Sequence, residues 1–251
     1  MWDRGKLLLA AVVFTALCYR VAAKNLDMAP HAVDVLYDKC RKEAIKEFIH
    51  SGVLKAELKG SEGFQKAWSA STQCSEMIPG GIKEHTTALL AYAYGDPRFK
   101  KTFNDKVETM GANVSSYVKD FHFKSLHFLL MDYMMLQKPK NCTTVYVLVE
   151  PGEQVTAENG SKVRFGRFTT ALKSIEVELD GDIILNITSC LFVKLGENIC
   201  RREMGEILLS PVEEFIVESV NQKSCDDAEY TEIVLKHSGL RSSDRCHIFS
   251  R

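Results

Sequence analysis

The sequence predicts an α+β fold, with a helical part over about residues 25–138 and a β core over about 142–250. Three observations predict it. Apolar residues recur at three- and four-residue steps through the first half of the 251-residue chain. After Pro139 the texture changes to short runs rich in β-branched and aromatic residues. Turn residues separate those runs: Pro151-Gly152, Asn159-Gly160, Asp180-Gly181 and Gly196. Helices first and strands later mean α+β rather than a doubly wound sheet.

Taken in order, the first helix is predicted from His31, where Val33, Leu36, Tyr37, Cys40, Ala44 and Phe48 form one face. "EHTTALLAYAY" predicts a second helix, stopped by Gly95 and Pro97. "FKKTFNDKVETM" predicts a third, ending at Gly111. "FHFKSLHFLLMDYMMLQ" is apolar almost all round, which marks the buried helix on which the others pack. The strands are "TTVYVLV", "KVRFGRFTTAL", "IILNITSCLFVKL", "EILL", "EEFIVESV" and "YTEIVLK".

The N-terminus reads as a secretory signal over residues 1–23. Arg4 and Lys6 precede an apolar run from Leu7 to Tyr19, and Val21-Ala22-Ala23 supplies small residues for cleavage. The run is too short to span a bilayer as a helix. The C-terminal "RCHIFSR" has no polar spacer and hydrophobic tail, so no lipid-anchor signal is present there. The expectation is a single domain over 24–251, secreted and extracellular, without a stable membrane anchor. Sequons at Asn113, Asn159 and Asn186 fit that compartment; a fourth, Asn141, is blocked if Cys142 is bridged. Net charge is −1 with basic and acidic residues interspersed, so no nucleic acid is expected as a partner.

Cysteine usage agrees with export. Loss of Cys18 with the signal leaves Cys40, Cys74, Cys142, Cys190, Cys200, Cys225 and Cys246, with no CxxC pair. A zinc ribbon or thioredoxin-like site is therefore excluded, and two or three disulfides are the default. The odd count leaves at least one thiol free or paired between chains.

General catalytic patterns are absent: no GxGxxG, no P-loop lysine, no GxSxG and no HExxH. His122 and His127 lie five apart, so they do not share a helix face as paired metal ligands should, and read as core or surface histidines. No metal is expected. Met131, Met134 and Met135 read as core filling.

Five segments in order carry a resemblance: "LDMAPHAVDVLYDKC", "FHFKSLHFLL", "VRFGRFT", "EILLSPVEEFIV" and "LKHSGLRSSDRC", from about Asn25 to Cys246. Together they resemble the vertebrate ecto-ADP-ribosyltransferases, which move ADP-ribose from NAD onto protein arginine. The resemblance implies a helical N-terminal part packed on a mainly antiparallel β-sandwich core that carries an NAD cleft. It implies NAD as substrate, a protein acceptor with an exposed arginine as partner, and disulfides Cys40–Cys246 and Cys142–Cys190. Cys74, Cys200 and Cys225 are left over, and a Cys200–Cys225 bridge is a guess.

Active members of that family share an Arg, a Ser and a Glu-x-Glu, each at the start of a core strand. Loss of nicotinamide leaves an oxocarbenium-like ribose, which a carboxylate stabilises. The arginine fork suits pyrophosphate oxygens, the serine orients the nicotinamide end, and the first glutamate grips the acceptor guanidinium. By resemblance the second glutamate is Glu206, the catalytic candidate. The first falls at Met204, the serine at Thr170 and the arginine at Val147, so two polar groups are lost. Glu203, one residue from Met204, would point to the opposite face of a strand. Arg164 matches the family's own "RFG" arginine and joins the cofactor-binding set. Arg167 is a freer candidate to replace the lost arginine, against the plainer reading of a solvated strand residue. The function implied is a secreted mono-ADP-ribosyltransferase acting on arginine, weakened by the two losses. The alternatives are a catalytically inactive secreted binding module or an NAD glycohydrolase.

Overall fold

The computed structural model describes residues 23–74, 76–150, 152–175, 181–195, 205–225 and 228–241. The expected leader up to residue 22, and with it Cys18, lies outside the described residues, as do Cys200, Glu203, Met204, Cys246 and the side chain of Cys225. The mixed α+β class holds, with a helical region preceding a sheet core.

The chain opens on a two-residue strand, β1 (Lys24–Asn25), which pairs in parallel with β3 (Val155–Thr156). The helix predicted from His31 does not form there. Helical structure begins at α1 (Arg41–Ala44), which continues as a π-helix over Ile45–His50. Residues before it are threaded irregularly between the helices and still bury Val33, Leu36, Tyr37 and Cys40. Ala29 and Tyr37 take left-handed φ values of 43° and 62°, which a right-handed helix excludes. The backbone groups are paired elsewhere: Val33 N–H donates to the Val107 carbonyl (2.8 Å), and Gly111 N–H donates to the His31 carbonyl (2.7 Å). The spacing that suggested a helix reflects burial on a crowded path.

Six further helices follow: α2 (Val53–Gly60), α3 (Glu62–Ser71), α4 (Lys83–Tyr94), α5 (Pro97–Thr109), α6 (Val114–Asp120) and α7 (Lys124–Leu136). Between α4 and α5, Pro97 takes the first helical position and the Asp96 side chain accepts from Arg98 N–H at 2.8 Å. α7 is buried on nearly every face, as its all-apolar sequence requires, and Met131 and Met134 are fully enclosed. Its N-terminal donors are met from α2: Glu57 accepts from Lys124 N–H (2.7 Å) and Ser125 N–H (2.9 Å). His127 lies in this core and His122 on the surface. Burial pulls the His127 imidazole down to about 3, so it packs as a neutral ring against Tyr37.

The remaining strands are β2 (Thr143–Leu148), β4 (Lys162–Arg164), β5 (Thr169–Leu172), β6 (Ile183–Ser189), β7 (Phe192–Lys194), β8 (Glu206–Leu209), β9 (Glu213–Cys225) and β10 (Ala228–Leu240). They form one sheet in the order β4-β9-β10-β6-β2-β5-β8-β7. β10 runs parallel to β6, and the other neighbouring pairs are antiparallel. Two apolar clusters use opposite faces. Leu208 joins the helical cluster, while Ile207 and Leu209 join a second cluster with Val145, Ala171 and Phe215. Alternation of a strand covered on both sides explains the unbroken apolar run in "EILL".

Cys142 and Cys190 are disulfide-bonded, joining the chain before β2 to the chain after β6, where Thr143 pairs with Ser189. Cys40 and Cys74 each take part in a disulfide as well. The partner expected for Cys40, Cys246, lies outside the described residues.

Candidate active site

A cleft of about 560 Å³ lies between α5, the N-terminal strand β1, the end of β2 and the segment joining β4 to β5. Val147, Arg164, Arg167 and Thr170 all line it. The site is built from the β4–β5 segment outward. Gly166 takes φ +66°, and a Cβ there would lie 2.4 Å from the Ala29 Cβ, so only glycine permits this close approach. Two residues on, the Phe168 ring is buried and its backbone is clamped. Asn104 accepts from Phe168 N–H (3.2 Å) and donates to its carbonyl (3.1 Å), to which the Tyr92 hydroxyl also donates (3.1 Å). Asn104 Nδ2 donates further to the Tyr92 hydroxyl at 3.0 Å. The clamp fixes where Arg167 and the start of β5 emerge into the cleft.

Thr170 is half-buried on β5, opposite Leu208 of β8. Glu206 opens β8 opposite Leu172, and its carbonyl accepts from Leu195 N–H at 2.8 Å. Thr170 and Glu206 are therefore diagonal neighbours on one face of the sheet, a relation that spaces Cα atoms by about 7–8 Å. The Tyr92 hydroxyl stands in the cleft wall and feels charges of both signs. Burial pushes it up to about 12; its Asn104 hydrogen bond and the Arg167 charge pull it down, and the Glu206 charge raises it.

The other expected residues stand differently. Arg164 is buried, and its guanidinium donates to the carbonyls of Met28 (3.0 Å) and Ala29 (2.7 Å) and pairs with Asp34 (3.4 Å). Burial lowers its pKa, and the Asp34 carboxylate opposes that shift. This arginine holds the N-terminal segment against β4. Val147 is half-buried against the second apolar cluster, one residue beyond the Tyr146–Leu172 pair and thus on the alternate face from Thr170. Met204 lies outside the described residues. Asn113 and Asn159 are exposed, with Asn113 Oδ1 capping α6 through Ser115 N–H at 2.7 Å. Asn186 is half-buried and donates to Glu232 at 3.0 Å.

Among the described residues, one group has metal-ligand proximity: Cys190, Glu213 and His237, with ligand atoms within 4.8 Å of one another. The Cys190 sulfur is in a disulfide. The Glu213 carboxylate already accepts from Ser189 Oγ and Cys190 N–H, both at 2.6 Å, and lies 2.8 Å from His237 Nδ1.

Comparison with known proteins decides the family. The model of NAD:arginine ADP-ribosyltransferases matches residues 26–243. The chain belongs to this family. It is 30% identical over 243 residues to the GPI-linked NAD(P)(+)–arginine ADP-ribosyltransferase 1 of Mus musculus, covering 88% of this chain and 72% of the relative. It is 28% identical over 249 residues to the human ecto-ADP-ribosyltransferase 3, covering 89% and 63% respectively. Among solved structures, the eukaryotic mono-ADP-ribosyltransferase ART2.2 superposes with a TM-score of 0.70 at 25% identity, covering 90% of this chain and 99% of that one. A variant of that protein in complex with NAD superposes at 0.69, with the same identity and coverage.

Family membership and fold support NAD-dependent ADP-ribosyltransferase activity in general. Tyr92 and Asn104 carry no motif that a catalytic search would find. No helix among the described residues is long and apolar enough to cross a membrane.

Proposed function

We propose that the protein is a secreted mono-ADP-ribosyltransferase that transfers ADP-ribose from NAD to arginine on proteins, with weakened turnover. The carrying observation is that Glu206 stands diagonal to Thr170, a residue of the cleft wall, in a chain that matches the family over nearly its whole described length. In this reading the cleft takes NAD. The Thr170 hydroxyl orients the nicotinamide end, and the Glu206 carboxylate stabilises positive charge developing on the ribose as nicotinamide leaves. The family model and the Mus musculus relative are described as arginine ADP-ribosyltransferases, which supports arginine as the acceptor class. The family's acceptor glutamate is replaced by Met204, whose thioether neither receives the guanidinium proton nor grips it through charge. Weakened transfer is the consequence.

One observation favours a second reading, that of an inactive binding module: the family arginine is replaced by Val147, packed against the apolar cluster. Incubation with labelled NAD and a small guanidine acceptor separates the two. Label on the acceptor supports the transferase. Free ADP-ribose without labelled acceptor marks a glycohydrolase, and no consumption of NAD marks the binding module.

A further inference from the structure

The cleft has lost the family's arginine but keeps cationic side chains, set among the carboxylates Asp27, Asp105, Glu108, Glu150 and Glu153. Five cationic side chains line it: Lys24, Lys100, Lys101, Arg164 and Arg167. Three are committed. Lys24 pairs with Glu108, Lys101 pairs with Asp105 at 2.8 Å, and Arg164 is spent on two carbonyls and Asp34. Among the described residues, Arg167 and Lys100 make no ion pair. The lining carboxylates without an ion pair are Asp27, which accepts from Ala29 N–H at 2.7 Å, and Glu150 and Glu153 of the loop after β2, whereas Arg167 and Lys100 come from the β4–β5 segment and α5.

The backbone that carries the half-exposed Arg167 is held on both sides. On one side Gly166 packs against the methyl groups of Ala29 and Ala32; on the other Phe168 is clamped by Asn104 and Tyr92. A guanidinium on a fixed backbone is pre-organised for a bidentate contact, so little ordering is needed when a phosphate arrives. We propose that Arg167, supported by Lys100, is the pyrophosphate-binding cation of this cleft, standing in for the arginine lost at Val147. The inference rests on the reading that the cleft takes NAD.

Calorimetric titration of the full folded chain tests it, using NAD, ADP-ribose and nicotinamide riboside, which lacks phosphate. Arg167→Gln should weaken NAD and ADP-ribose about 10- to 100-fold, the value of a charge-assisted hydrogen-bonded contact. Arg167→Lys should recover part of that loss, and Lys100→Gln should cause a smaller one. Nicotinamide riboside should bind equally to the unsubstituted and Arg167→Gln chains. An unsubstituted chain that binds NAD, with Arg167→Gln and Arg167→Lys binding it equally well, overturns this inference and leaves the NAD reading intact. An unsubstituted chain that binds neither NAD nor ADP-ribose overturns both.

Discussion

Asn104 holds Phe168 through both ends of its side-chain amide, accepting from its N–H at 3.2 Å and donating to its carbonyl at 3.1 Å. A residue of α5 thereby completes the hydrogen bonding of a segment 64 positions later, immediately beside Arg167 and Thr169. Asn104→Ala leaves the part-buried Phe168 N–H without its partner, which should cost about 1 kcal/mol. It should also raise the KM for NAD, because the segment that presents Arg167 and Thr170 loses its anchor. Denaturant midpoints and initial rates on one preparation check both. Lost stability with an unaltered KM would show that the clamp serves the fold alone.

Asp132 on α7 ties together two side chains from distant parts of the chain: Arg41 Nε at 2.7 and 2.8 Å, and His85 Nε2 at 2.7 Å. Burial pulls its carboxyl up, but the hydrogen bonds from His85 and Arg41, with their charges, outweigh burial and hold it below the usual range. A carboxyl depressed in the folded state contributes stability above its unfolded value and loses it as pH falls through the folded value. Stability should therefore fall below about pH 4. Asp132→Asn should flatten that acid limb and lower neutral stability by about 1–3 kcal/mol, since it removes the charged acceptor shared by the half-buried Arg41 and the buried His85. Denaturant melts from pH 7 down to pH 3 measure both effects.

Thr170 stands where the family pattern has serine, with the hydroxyl kept and a methyl added. Thr170→Ser should leave NAD turnover close to that of the unsubstituted chain. Thr170→Ala should lower kcat/KM on the order of 10²-fold, the cost of removing one positioned hydrogen-bonding group. Equal rates for the serine and alanine variants would remove the hydroxyl from the site.

The Cys142–Cys190 bond closes a loop of 48 residues around the β2–β6 pairing. Replacing both cysteines with serine should cost about 2–4 kcal/mol, chiefly by releasing the unfolded chain. Thermal melts of the double variant, read without reductant, report that difference.

What could be read from the sequence follows the physics of each element. α4, α5 and α7 were legible because Gly95, Pro97 and Gly111 punctuate them and α7 is apolar on all sides. Helices α2 and α3 passed unread because their buried stripes are thin, carried by Leu54, Phe64 and Ala67 among exposed lysines and serines. The path from His31 to Cys40 misled, since burial between helices imitates helical spacing without its hydrogen bonds. Thr170 and Glu206 were legible as strand-start residues within short motifs. Arg164 was assigned to the cofactor by motif, and its carbonyl partners at Met28 and Ala29, more than 130 positions away, are set by tertiary packing alone. The same is true of Tyr92 and Asn104, whose roles exist only once α4, α5 and β5 meet.

The most direct test is turnover of labelled NAD by the folded, disulfide-bonded chain and by its Glu206→Gln variant, with a small guanidine as acceptor. Transfer of label by the unsubstituted chain, falling at least 10²-fold in the variant, is the expected result. Equal transfer by both would contradict the assignment of Glu206 as the carboxylate that stabilises the ribose cation. No transfer by either, with the fold intact, would contradict the proposed activity itself.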